Sequence, residues 1–196
     1  MRRRQHGISL LEVLTVLAII GLLVGITFPA FATYRRRNSV RAAARELEGT
    51  LRFVRSRAIT RAANAGIKFT GSGSSWTFAV HDDGDDDGVR NDDIRSGTDP
   101  LVGRPKPLMP QLQVAHIGLL PFAIKDPDGD PLPPSKSPVQ FGTSAICSFS
   151  PMGEGTPGTI YITDDIGDLY CIRVLGASGR VRILRYDAMK KKWETR

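Results

Sequence analysis

The sequence predicts an α+β fold. A long N-terminal helix, apolar at first and amphipathic afterwards, packs on an antiparallel β-sheet head. Three observations carry this. Residues 8–31 read ISLLEVLTVLAIIGLLVGITFPAF, and Glu12 is the only formal charge among them. Val40, Ala44, Leu47, Leu51, Val54 and Ala58 then recur in steps of four and three, the spacing of one helical face. Beyond residue 64 the chain breaks into short β-branched and aromatic runs separated by glycine-bearing turns.

The apolar run is long enough to cross a membrane. About 24 residues rising about 1.5 Å each cover the roughly 30 Å of a hydrocarbon core. Glu12 is costly there, about 2.5–3.5 kcal/mol at mid-bilayer. It therefore needs a partner, or a place near the interface where it stays wet. Gly21 and Gly25 are four apart, which either lets a second helix approach closely or reflects ordinary tolerance of glycine. Pro29 removes one backbone hydrogen bond and is expected to bend the helix. Arg2 to Arg4 precede the run and Arg35 to Arg37 follow it, so flanking charge leaves its orientation near a tie.

The helix is expected to continue past the apolar run. Arg41, Arg45, Glu48, Arg52 and Arg55 follow the apolar stripe one position on and so flank it. Asn64 to Gly66 is a plausible stop. The chain divides on this reading into a leader at 1–7, a transmembrane half-helix at 8–31, an amphipathic half-helix at 32–64 and a β-rich head at 65–196.

Within the head, residues 66–70 and 76–81 flank Gly71-Ser72-Gly73-Ser74-Ser75, a hairpin signal. Further strands are expected at 145–149, 159–163, 169–174 and 181–186. Short strands with polar turns suit an antiparallel sheet on the amphipathic half of the helix. The proline-rich stretch 97–138 reads as loop, with one strand around Val114 to Ile117. About 165 residues after the apolar run suffice for one domain with a modest core.

The net charge of +7 is unevenly placed. Arginines crowd the first third, aspartates crowd 82–99 and 126–130, and the chain from Arg180 on is basic again. Such a balance suits nucleic acid or anionic membrane contact, or simply a solvated surface. His6, His81 and His116 are the only histidines. No nucleophile motif, phosphate loop or zinc spacing is present, so the chain does not read as an enzyme.

Two clusters admit a ligand or a bond. Asp83, Asp85 and Asp87, with glycines at 84 and 88, match the first half of a calcium loop. The twelfth position, where such a loop wants a carboxylate, is Ile94. Calcium and a solvated acidic loop are both open; Asp126 to Asp130 reads as a turn. Cys147 and Cys171 fall on expected strands. A disulfide between them, worth about 3 kcal/mol in an oxidising compartment, is the expectation, against two buried thiols.

The N-terminus resembles the class III signal of type IV pilins and pseudopilins. A short basic leader ends in Gly7, the apolar stretch starts at once, and Glu12 lies five residues past the glycine. The resemblance implies that a prepilin peptidase cuts after Gly7 and methylates the new N-terminus at Ile8, where phenylalanine is usual. It implies that Glu12 neutralises the α-amino group of a neighbouring subunit, and it puts Pro29 at the family's helix-kinking position. It places the leader in the cytoplasm and the head in the periplasm of an inner-membrane single-pass protein.

Phe149-Ser150-Pro151-Met152-Gly153, Gly158 to Ile162, Ile172-Arg173-Val174 and Gly179-Arg180-Val181-Arg182 resemble the GspH/FimT group of minor pseudopilins and minor pilins. The resemblance covers the acidic middle poorly. It implies a type IV pilin-like fold and other pseudopilins or pilins as partners in a filament tip; the residues themselves suggest no cofactor other than the calcium left open above. It points first to an assembly subunit of a type II secretion pseudopilus. The alternative is a FimT-like minor pilin whose glycine-arginine-x-arginine motif binds DNA for uptake. If 181–186 is a strand, Arg180 and Arg182 project from one face, with Val181 and Ile183 on the other. Arg173 and Lys190 to Lys192 are expected nearby to help contact phosphates, and Trp193 to stack on a base. A solvated strand face is the plainer alternative.

Overall fold

The computed structural model describes residues 10–108 and 115–195, with backbone alone over 26–33. The chain forms two compact units, residues 1–37 and residues 38–196.

In the first unit, helix α1 (Leu10–Arg61) begins. Its leucines, valines and isoleucines from Leu10 to Val24 are exposed, and Thr15 donates to the Glu12 carbonyl at 2.9 Å. Among the described residues no helix is long and apolar enough to cross a membrane. The expected cut site, Gly7 and Ile8, lies outside the described residues, as do the side chains over 26–33 that would complete the apolar run. Pro29 lies within α1.

The second unit is built on the later turns of α1. Val40, Ala44, Leu47, Leu51, Val54 and Ala58, the stripe read from periodicity, are all 0% exposed, and Ala43 joins them. Each full-sized side chain so buried contributes about 1.5–3 kcal/mol of transfer free energy. The helix ends where Ala62 turns to a left-handed φ of 53°.

Two antiparallel sheets follow. The first contains β1 (Ala65–Ser72), β2 (Ser75–Asp82), β3 (Leu101–Pro107) and, from far along the chain, β8 (Ile146–Phe149). Its order is β3-β2-β1-β8. The second runs β12-β11-β10-β9-β4, built from β4 (His116–Ile117), β9 (Gly158–Thr163), β10 (Leu169–Leu175), β11 (Arg180–Asp187) and β12 (Lys192–Thr195); β7 (Val139–Gln140) also pairs with β9. The helix stripe, Ile67, Phe69 and Phe78 of the first sheet, and Ile160, Ile172 and Val181 of the second form one core.

Sequence pattern located most strands but not their grouping into two sheets. It also missed several elements of the middle. Helix α2 spans Asn91–Ser96. Strand β3 carries Pro105 and Pro107, tolerated because β3 is an edge and its outward N–H groups pair with nothing in the sheet. A small hairpin, β5 (Ile124–Lys125) and β6 (Pro131–Leu132), belongs to a second apolar cluster, in which Leu120 and Leu132 meet Tyr161, Leu169, Cys171 and Tyr186 of the larger sheet. The Asp126–Asp130 turn closes that hairpin: Asp126 Oδ1 accepts from the backbone N–H of Asp128 and Asp130, each at 2.9 Å.

The expected disulfide is not formed. Both cysteines are free and buried. Cys147 on β8 lies opposite Ile67 in the first sheet. Cys171 on β10 lies between Tyr161 and Leu184 in the second, in the other apolar cluster. Being on strands did not make them neighbours.

Candidate functional site

The turn before β11 is held from the helix. A short 3₁₀ turn, Gly176–Ser178, links β10 to β11 and ends at Gly179, whose φ is 56°. A Cβ there would stand 2.0 Å from the Gly153 carbonyl oxygen and 2.8 Å from Arg55 Nε. Arg55 reaches out of α1 into this junction. Its Nε donates to the Gly153 carbonyl at 2.9 Å and an Nη to the Ser178 carbonyl at 3.1 Å. One guanidinium thus ties two turns to the helix.

Past this clamp, β11 alternates as predicted: Arg180 and Arg182 are exposed, Val181 and Ile183 buried. Arg180 shares a cleft of about 400 Å³ with Arg52, Arg55, Gly179 and Val181. Arg52 pairs with Glu48 at 2.6 Å. Arg41 and Arg45 continue the same helix face and are exposed. Sequence reasoning had placed Arg52 and Arg55 only beside the apolar stripe; nothing local could show that they face the Gly179 turn.

The other cations expected near the motif are elsewhere or engaged. Arg173 lies opposite Arg182 but is bound by Asp128, with Nη1 donating to Oδ1 at 2.8 Å. That hydrogen bond holds the Asp128 carboxyl below its usual range and raises Arg173. Lys190 pairs with Glu194 at 2.7 Å, and Lys192 lies opposite Asp187 at the far end of β11. Trp193 is packed against Tyr186 and Tyr161, and its indole N–H donates to the Lys125 carbonyl at 2.9 Å. It is not a free stacking platform.

The aspartates after β2 form a braced loop at the end of α1. Asp82 takes a double hydrogen bond from Arg57, at 2.6 and 2.7 Å, which holds its carboxyl below the ordinary range. Asp83 accepts from Asn64 Nδ2 at 2.7 Å and from the backbone N–H of Gly88 and Asp85. Burial pushes the Asp83 carboxyl up, yet these bonds together leave it lowered. Asp99, 1% exposed, accepts from the backbone N–H of Gly84 and Arg90. Asp85, Asp86 and Asp87 are left exposed. Desolvation, and then the like charges of Asp87 and Asp93, push Asp85 up.

One carboxylate oxygen each from Asp83, Asp85 and Asp87 lies within 4.8 Å of the others. These are the residues that would hold a calcium ion. They fit it only in part: Asp83 already serves the loop backbone, and Ile94 sits in α2 where an acidic ligand would be wanted.

Glu12 lies exposed in the first turn of α1. The amine expected to meet it belongs to residues outside those described.

Residues 2–28 match the prokaryotic N-terminal methylation motif, and residues 43–116 match the family described as type II transport protein GspH. No curated protein and no solved structure matches the chain. The first match spans the leader, Glu12 and most of the apolar run. The second spans the buried helix stripe from Ala44 on, β1 to β3 and the acidic loop, the stretch that sequence resemblance had covered poorly.

Proposed function

We propose that this chain, a pilin-like protein of the GspH/FimT group, is a minor pseudopilin that serves as an assembly subunit of a type II secretion pseudopilus. Proteins of this group are structural subunits rather than enzymes. The observation that carries the reading is the coupling of a methylation motif at 2–28 to a GspH-type helix and sheet at 43–116. On this reading a prepilin peptidase removes the leader after Gly7 and methylates Ile8. The apolar half of α1 holds the subunit in the inner membrane with its head in the periplasm. Glu12 then meets the α-amino group of an adjacent subunit in a dry bundle. Removing one member of such a buried charge pair costs about 3–5 kcal/mol, which would enforce register between subunits.

The test is direct. N-terminal sequencing of the processed chain is expected to begin at methylated Ile8. Glu12→Ala is expected to leave processing intact and to abolish incorporation into the filament. A mature chain beginning elsewhere, or normal incorporation of the alanine variant, removes the proposal.

A second reading, DNA capture by a FimT-like minor pilin, is favoured by one observation. Arg180 and Arg182 stand exposed on one strand face, without an ion pair among the described residues, beside the cleft shared with Arg52 and Arg55. Such cations suit phosphate contact, and binding would weaken steeply with salt. Unchanged DNA affinity after Arg180→Ala with Arg182→Ala, or none at low salt, removes it.

A further inference from the structure

We infer that the cleft between Arg52 and Arg180 receives the acidic loop of a second copy of this chain. The inference rests on the assembly reading above and names a contact within it.

Both surfaces are charged, and each keeps exposed charges that no ion pair answers. Arg41, Arg45, Arg180 and Arg182 have no ion-pair partner among the described residues, and all four are exposed. Asp85 and Asp86 are likewise exposed and unpaired among the described residues. Other charges are already answered within the chain: Arg57 with Asp82, Arg173 with Asp128, Lys190 with Glu194, and, at the edges of the two surfaces, Arg52 with Glu48 and Asp87 with Arg90. Unpaired positive charge thus stands beside the cleft, at Arg41, Arg45, Arg180 and Arg182, and unpaired negative charge stands on the loop, at Asp85 and Asp86.

Both surfaces are also built in advance, so little ordering remains to be done on contact. On the basic side, Arg55 is committed to the Gly153 and Ser178 carbonyls and fixes the wall of the cleft. On the acidic side, Asp83 and Asp99 turn inward to cap backbone N–H groups, which leaves Asp85, Asp86 and Asp87 outside. The like charges of Asp87 and Asp93, which with desolvation raise Asp85, mark a loop that gains from meeting cations.

Within one copy the two surfaces sit at different places along α1. The loop is fastened to the end of α1 through Asn64 and Arg57. The cleft opens beside Arg52, nine residues or about 14 Å back from the helix end at Arg61, and Arg45 lies about 24 Å back. Between copies placed head to tail, a loop-to-cleft contact is heterologous. Such a contact repeats from copy to copy instead of closing into a symmetric pair. Charge complementarity of this kind sets register and speeds encounter.

The test uses the full chain in neutral detergent micelles at low salt, with self-association read by sedimentation. The parent chain is expected to form a ladder of species that weakens roughly tenfold or more as salt rises from about 0.05 to about 0.5 M. A loop variant (Asp85→Asn, Asp86→Asn, Asp87→Asn) and a cleft variant (Arg52→Glu, Arg180→Glu) are each expected to stay single. Mixed, they are expected to form a pair and stop there, because only one intact loop and one intact cleft remain. Arg55 is left unchanged, and unfolding curves of both variants check that the head is folded. Association that ignores salt and both variants overturns the inference. So does a parent chain that stays single, or a cleft that binds a DNA oligonucleotide without any contact between copies. Glu12→Ala separates the two levels. Filaments that need Glu12 but tolerate the cleft variant reject this contact alone, whereas indifference to both rejects the assembly reading.

Discussion

Gly179→Ala tests whether the Arg55 clamp organises the candidate site. Two costs can be worked from the geometry. At a φ of 56° an alanine pays about 1 kcal/mol for the left-handed backbone. Its Cβ would also lie 2.0 Å from the Gly153 carbonyl oxygen, so the two turns must part by more than an ångström. Parting them breaks the Arg55 bond to Gly153, a charge-assisted bond worth about 2 kcal/mol at a partly exposed site. The sum is about 3 kcal/mol. Gly73→Ala is the matched control: its φ is 58° and open space surrounds its Cβ, so only the backbone cost of about 1 kcal/mol applies. Urea unfolding of the full chain, followed by the fluorescence of Trp76 and Trp193, reads both. In an Arg55→Ala background the Gly179 effect should shrink by about 1 kcal/mol or more, because the two residues share one junction. Equal losses for Gly179→Ala and Gly73→Ala would refute the clamp.

Four further outcomes follow from the same structure. The Arg57 bond lowers the Asp82 carboxyl below its ordinary 3.8, so the pair's stabilisation is complete above that value and is lost as pH falls through the lowered one; Arg57→Ala should cost about 2 kcal/mol at neutral pH, softened by Arg61 nearby, and flatten the acid dependence in urea titrations. Burial raises the Cys147 thiol and pushes Cys171 up to about 12, so a thiol reagent should label neither until the head unfolds, and the intact mass without reductant should show both as free thiols. Leu51→Ala, at 0% exposure between helix and sheets, should cost about 2–4 kcal/mol by denaturant unfolding, whereas half-exposed Phe53→Ala should cost under about 1 kcal/mol. If Asp83, Asp85 and Asp87 hold calcium, calorimetric titration should show heat that Asp85→Asn with Asp87→Asn removes; a flat titration of the parent chain rejects calcium there.

How much of this was legible in the sequence depends on whether the controlling interaction is local. The helix stripe was readable because residues three and four apart share a face whatever the rest of the chain does. The alternation of Arg180 to Ile183 was readable for the same reason at a period of two. The partition into two sheets was not, since β8 leaves its chain neighbours to pair with β1. The cysteine expectation failed through that same long-range pairing: Cys147 follows β8 into one sheet while Cys171 stays in the other. Strand β3 was hidden by prolines that only an edge position excuses. Arg55 was legible as a helix residue but not as a clamp, because its partner Gly153 is 98 residues away.

The acidic loop shows the same limit in chemical form. Alternating aspartates suggest a ligand set, because period and residue type are all that spacing conveys. Which way each carboxylate turns depends on donors supplied from outside the motif: Arg57 and Asn64 at the end of α1, and backbone N–H groups that only the folded loop presents to Asp83 and Asp99. Those donors take Asp82, Asp83 and Asp99 into structural work and leave Asp85, Asp86 and Asp87 facing out. These bonds brace the loop from within, and Asp85 and Asp86 are exposed to whatever positive charge the loop meets. Arg45, Arg52, Arg180 and Arg182 form the matching surface on the same chain, so the excess of one copy answers the excess of the next. Neutralising Asp85 and Asp86 should therefore leave the fold of the head intact while weakening contact between copies, whereas Asp99→Ala should loosen the loop itself.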